Sequence, residues 1–65
     1  MSKLWELNQK INEIIDKKGL DKPITRGRIG LKSGVLMAFN ENTPDDQEKI
    51  QKIRDAVKEV LGEAI

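Results

Sequence analysis

No histidine, cysteine or tyrosine occurs among the 65 residues, and Trp5 and Phe39 are the only aromatic side chains. Without cysteine there is no disulfide and no thiolate metal site. Without histidine as well, no Ser/His or Cys/His pair can activate a nucleophile. Paired carboxylates could do acid–base work, but every Asp and Glu is expected on a solvated helix face or in a loop. These absences point away from an enzyme and from any metal or other cofactor.

Long apolar runs are missing too. Nothing approaches the roughly 20 consecutive apolar residues that span a bilayer, and Met1–Glu6 lacks the apolar heart of a signal peptide. The expectation is a cytoplasmic protein with no membrane partner. At this length one domain, 1–65, is the ceiling. A chain of this size buries only about 60% of its unfolded surface. Without staples it has to pack very well or gain stability by self-association.

Charge is nearly balanced overall, at a net of +1, but unevenly placed. Residues 17–32 hold Lys17, Lys18, Lys22, Arg26, Arg28 and Lys32 against Asp21 alone, a net of +5. Residues 41–65 hold seven acids against four bases, a net of −3. The basic charge is concentrated around the middle of the chain.

Helical patterning is clear at both ends. Leu4, Leu7, Ile11, Ile14 and Ile15 recur at three–four spacing and predict a helix over 3–18. Ser2 suits its N-cap. Gly19 suits the left-handed position past its end, with Leu20 folding back toward Ile15 in a Schellman arrangement. A second helix is predicted from Thr43, which suits the N-cap. Pro44 takes the first turn, and Asp45 and Asp46 meet the partial positive charge there. Ile50, Ile53, Val57, Val60, Leu61 and Ala64 make its apolar stripe, Asp45–Lys49 and Glu48–Lys52 are its supporting pairs, and Gly62 ends it.

Between them the pattern alternates, which predicts a β-hairpin. Ile24–Leu31 and Val35–Asn40 read as strands, Pro23 as a strand edge, and Lys32-Ser33-Gly34 as a three-residue turn closed by a glycine bulge. That turn places Ile29 opposite Met37, Leu31 opposite Val35 and Gly27 opposite Phe39, all on one side of the ribbon. The other side then carries Arg26, Arg28, Gly30, Leu36, Ala38 and Asn40. A lone hairpin is marginal in water, so both helices are expected to cover the first side. The expected fold class is α+β, helix–β-hairpin–helix (αββα), with two helices on one face of a two-stranded antiparallel ribbon. Its expected core joins Phe39, Ile29, Met37, Ile11, Ile14, Ile53 and Val57.

Two motifs dissolve on inspection. Gly27-Arg28-Ile29-Gly30-Leu31-Lys32-Ser33 is no phosphate loop, because Leu31 stands where glycine must precede Lys-Ser and no helix is expected to follow. Asp45, Asp46 and Glu48 lack the alternation and glycine of a calcium loop. Acids in a first helical turn are ordinary capping chemistry. The basic group Lys17, Lys18, Lys22, Arg26, Arg28 and Lys32 is the one cluster with functional content. The candidate partner-binding residues are Arg26, Arg28 and Lys32 on the ribbon, Leu36 and Ala38 on its open face, and Trp5, a residue type enriched in interfaces. Leu36 is large, apolar and left without a core position by the hairpin register. The expected function is therefore a small protein-binding or assembly module, using the open hairpin face or edge, with a second copy of itself among the candidate partners. The alternative is nucleic-acid binding, with Arg26, Arg28 and Lys32 on phosphates. Against it, the interleaved aromatics of a single-strand binder are missing.

In layout the chain resembles the small head–tail joining proteins of tailed phages, which also place two helices around one hairpin. No motif is shared, so the resemblance implies an order of elements and no site residue. The idealised Thr43-Pro44-Asp45-Asp46 start also suits a designed chain, whereas Asn8, Gln9, Asn12, Gly27 and Gly30 suit natural ancestry.

Overall fold

A computed structural model, which describes residues 3–32 and 34–65, folds the first apolar stripe into α1 (Lys3–Lys17), burying Leu4, Leu7, Ile11 and Ile15. The Ser2 cap lies outside the described residues. Past the helix Gly19 adopts φ 68°. Its amide donates to the Asp16 carbonyl at 3.1 Å, and the Leu20 amide donates to that of Ile15 at 3.1 Å. These are the two Schellman bonds. The Leu20 side chain stays exposed.

The last helix, α3 (Pro44–Leu61), also begins and ends at the expected residues. Gly62, at φ 73°, donates its amide to the Lys58 carbonyl and closes it. Ile50, Ile53, Val57 and Leu61 are buried, Val60 packs at the edge, and Ala64 is exposed. The start is held differently from the expected cap. The Thr43 hydroxyl does not accept from the helix but donates to the Asn40 carbonyl at 3.1 Å. The entry loop is tied down from the first turn instead. Asp46 accepts from the Asn40 amide at 2.8 Å, and the Gln47 side chain donates to the Glu41 carbonyl at 2.9 Å. Lys49 pairs with Asp46 at 4.0 Å.

The middle of the chain is where the expectation fails. No strand occurs among the described residues, so the hairpin, the two-stranded ribbon and the α+β class are all overturned. Residues Lys22–Ile29 form α2, and Leu36–Ala38 form a single 3-10 turn. The cause is local capping backed by burial. Asp21 is the N-cap, and its side chain accepts from the Ile24 amide at 2.9 Å. Pro23, expected at a strand edge, sits in the first turn of a helix, where a missing amide hydrogen costs nothing. Gly30, at φ 92°, ends the helix with a second Schellman pair, Gly30 to Gly27 at 3.1 Å and Leu31 to Arg26 at 2.8 Å. Thr25 and Ile29, four apart, form its buried face.

α2 runs back along α1, with Lys22 beside Asp16 and Arg26 beside Asn12. α3 then runs the same way as α1. Lys18 meets Glu63 at one end (3.6 Å), and Leu4 shares a hollow with Asn40 and Asn42 at the other. α2 packs against both neighbours. The deepest side chains are Ile11, Ile15, Leu36 and Val57. Of the expected core, Ile11, Ile29, Ile53 and Val57 are buried, while Ile14 and Phe39 pack at its edge. Met37 is out at 46% exposure, and Leu36 is in at 1%. The hairpin register assigns these two neighbours the opposite way round, because a strand alternates where the 3-10 turn does not. No helix among the described residues is long and apolar enough to cross a membrane.

Candidate functional site

α1 places Asn8 and Asn12 one turn apart, beside its buried stripe. α2 places Lys22 and Arg26 one turn apart on the side that meets α1. Between them lies an open groove of about 690 Å³. Leu31 and Leu36, both buried, form its floor. Pro23, Gly27 and Met37 add an exposed, uncharged wall, and Lys32 and Gly34 complete the lining.

The electrostatics of the groove are one-sided. Lys22, Arg26 and Lys32 line it, and no Asp or Glu does among the described residues. Arg26 is part-buried, and its Nη1 donates to Asn12 Oδ1 at 2.8 Å. Asn12 is neutral, so this bond orients the guanidinium without compensating its charge. Lys22 does meet an acid, Asp16, at 3.1 Å, but that pair is exposed, and exposed pairs are worth at most about 1 kcal/mol.

Gly27 is the unexplained residue of the groove. The other four glycines, Gly19, Gly30, Gly34 and Gly62, all have positive φ. Gly27 sits inside α2 with no such requirement, and a Cβ built there would meet nothing within 4 Å. Glycine inside a helix costs roughly 0.5–1 kcal/mol relative to alanine. Among the described residues neither backbone nor packing gives a reason for that cost.

Of the six residues singled out from the sequence, the groove unites Arg26, Lys32 and Leu36. Leu36 enters as buried floor, so the reason for assigning it to a partner, the lack of a core position, is gone. Trp5 lies on α1 at 40% exposure, Arg28 is exposed on α2, and Ala38 is exposed at the end of the 3-10 turn. None of these three lines the groove. The basic group is likewise divided, since Lys18 pairs with Glu63 and Lys22 with Asp16.

The glycine-containing segment from Gly27 is the end of α2 and its cap, with Ser33 outside the described residues. Among the described residues no cluster of three or more Asp or Glu side chains is placed to hold a metal ion. Sequence reasoning counted Lys22 in the basic group but missed Asn8, Asn12, Pro23, Gly27, Leu31, Gly34 and Met37 as groove residues. The available signal was the polar pair Asn8/Asn12 at helical spacing along the flank of the apolar stripe. No family model matches this chain, and no curated protein or solved structure matches it either.

Proposed function

We propose that the protein is a non-catalytic binding module whose working surface is the groove between α1 and α2, and that its partner is protein. Gly27 carries this reading. Its bare backbone lines the groove at a position where the fold itself would accept a side chain. Glycine suits a place where another backbone comes close. Nucleic acid ranks second. The basic cluster does not form one surface: Lys18 pairs with Glu63, and Lys17, Lys18 and Arg28 stand outside the groove.

The test is a selection of random displayed dodecapeptides on the intact protein, followed by NMR titration of the enriched peptides. Amide shifts are expected at Asn12, Arg26, Gly27 and Met37. A Cβ at Gly27 would meet nothing within 4 Å among the described residues, and Gly27→Leu, with its fold checked by circular dichroism, is expected to abolish binding. Enriched peptides that bind Gly27→Leu unchanged, or that shift amides elsewhere, would overturn the assignment of the groove.

A further inference from the structure

Taking the groove as the binding surface proposed above, we infer that its occupant is an extended acidic segment of a protein partner. One Asp or Glu carboxylate sits on the Arg26 guanidinium, and an adjacent apolar side chain rests against Pro23 and Met37.

The guanidinium has five N–H donors in a fixed fork. Asn12 holds Nη1 at 2.8 Å and so sets the plane of the rest. Held by a neutral acceptor, this part-buried cation has no anion beside it among the described residues. Partial burial also strengthens its attraction for one, because the effective dielectric there is below that of water. Carboxylate matches the fork with two parallel hydrogen bonds. Lys22 and Lys32 add to the positive potential, and no acid of the groove's own lining opposes it among the described residues. The uncharged wall selects what comes with the carboxylate. Pro23 and Met37 are exposed and apolar, and a methionine thioether adapts to varied side chains. Phosphate is the competing anion, but the groove has no aromatic platform on which a base could stack. Asn12 is thus a positioning residue, acting through Arg26.

The peptides enriched in the selection decide the matter. They are expected to carry Asp or Glu next to Leu, Ile, Met or Phe. Replacing the acid by its amide, or Arg26→Lys in the protein, is expected to weaken binding about tenfold or more, as loss of a charge-assisted fork requires. Lys32→Gln, in an exposed loop, should weaken it less while leaving the fold untouched. Asn12→Ala should weaken the acidic peptide but not its amide counterpart, which a merely structural role would not discriminate. Peptides that map to the groove and carry no acid would overturn this inference and leave the groove standing. Acidic peptides that map elsewhere, or a selection that enriches nothing, would overturn both. A short random single-stranded DNA that shifts the same amides and displaces the peptides would replace the protein partner by nucleic acid. Mutual titration of the unlabelled chain giving those shifts would replace it by a second copy.

Discussion

α2 and α3 carry the same punctuation: a polar residue before the helix, a proline in the first two positions, and a left-handed glycine after the last turn. They differ in what lies between those marks. α3 has 18 residues and buries four aliphatic side chains. α2 has eight residues and buries Thr25 and Ile29. Isolated helices shorter than about 12–15 residues are marginal in water, so α2 exists only with its caps made and its buried face covered. The entry caps differ accordingly. Asp21 makes its bond to the helix, whereas Thr43 turns away to the entry loop. Punctuation marks where a helix can begin and end, and burial decides whether it forms.

The comparison breaks first at the chain between the two helices. Leu36→Ala is expected to cost about 2–5 kcal/mol, enough to unfold a domain this small, while Met37→Ala should stay within about 0.5 kcal/mol. Chemical denaturation followed by circular dichroism would reveal a reversed order, and with it a return of the strand register. The caps come next. Asp21→Ala should lose about 1 kcal/mol, with the loss concentrated in hydrogen exchange across α2. Thr43→Ala should lose under about 0.5 kcal/mol, since its hydroxyl makes no helix bond and sits at the surface. Equal losses would mean that the two starts are built alike. Gly27→Ala has the smallest effect and the opposite sign, a gain of about 0.5–1 kcal/mol from helix propensity. A loss there would show that the fold itself requires the glycine, and would remove the main support for the groove.

The outer helices were legible because every local signal agreed. In α1 the Leu4, Leu7, Ile11, Ile15 stripe and Gly19 give one answer, and in α3 Pro44, the Ile50, Ile53, Val57 stripe and Gly62 do the same. In the middle two periods compete. Ile29, Leu31, Val35, Met37 and Phe39 alternate over two short runs, and they meet in register across a plausible turn. Helical spacing in eight residues offers only Thr25 and Ile29, too few to outweigh that alternation on inspection. The Asp21-Lys22-Pro23 start and the Gly30 stop were the signals to weigh, since they repeat the logic of Thr43-Pro44 and Gly62. For the groove, Arg26 and Lys32 could be named from charge, but their common surface could not, because α1 supplies the facing wall. The oddity of Gly27 was hidden until its backbone angle and its empty surroundings were known.

The residues alone determined that no histidine or cysteine is available, that α1 ends at Gly19 and α3 at Gly62, and that α3 is entered at Pro44. These depend on side-chain inventory and on hydrogen bonds that span a few residues. Tertiary structure decided that Lys22–Ile29 is a helix, that Leu36 turns inward and Met37 outward, and that Asn12 meets Arg26 across a groove. A segment of eight residues forms too few internal hydrogen bonds to offset the cost of helix nucleation. Burial of Thr25 and Ile29 supplies the difference, and packing of α2 against α1 and α3 provides it.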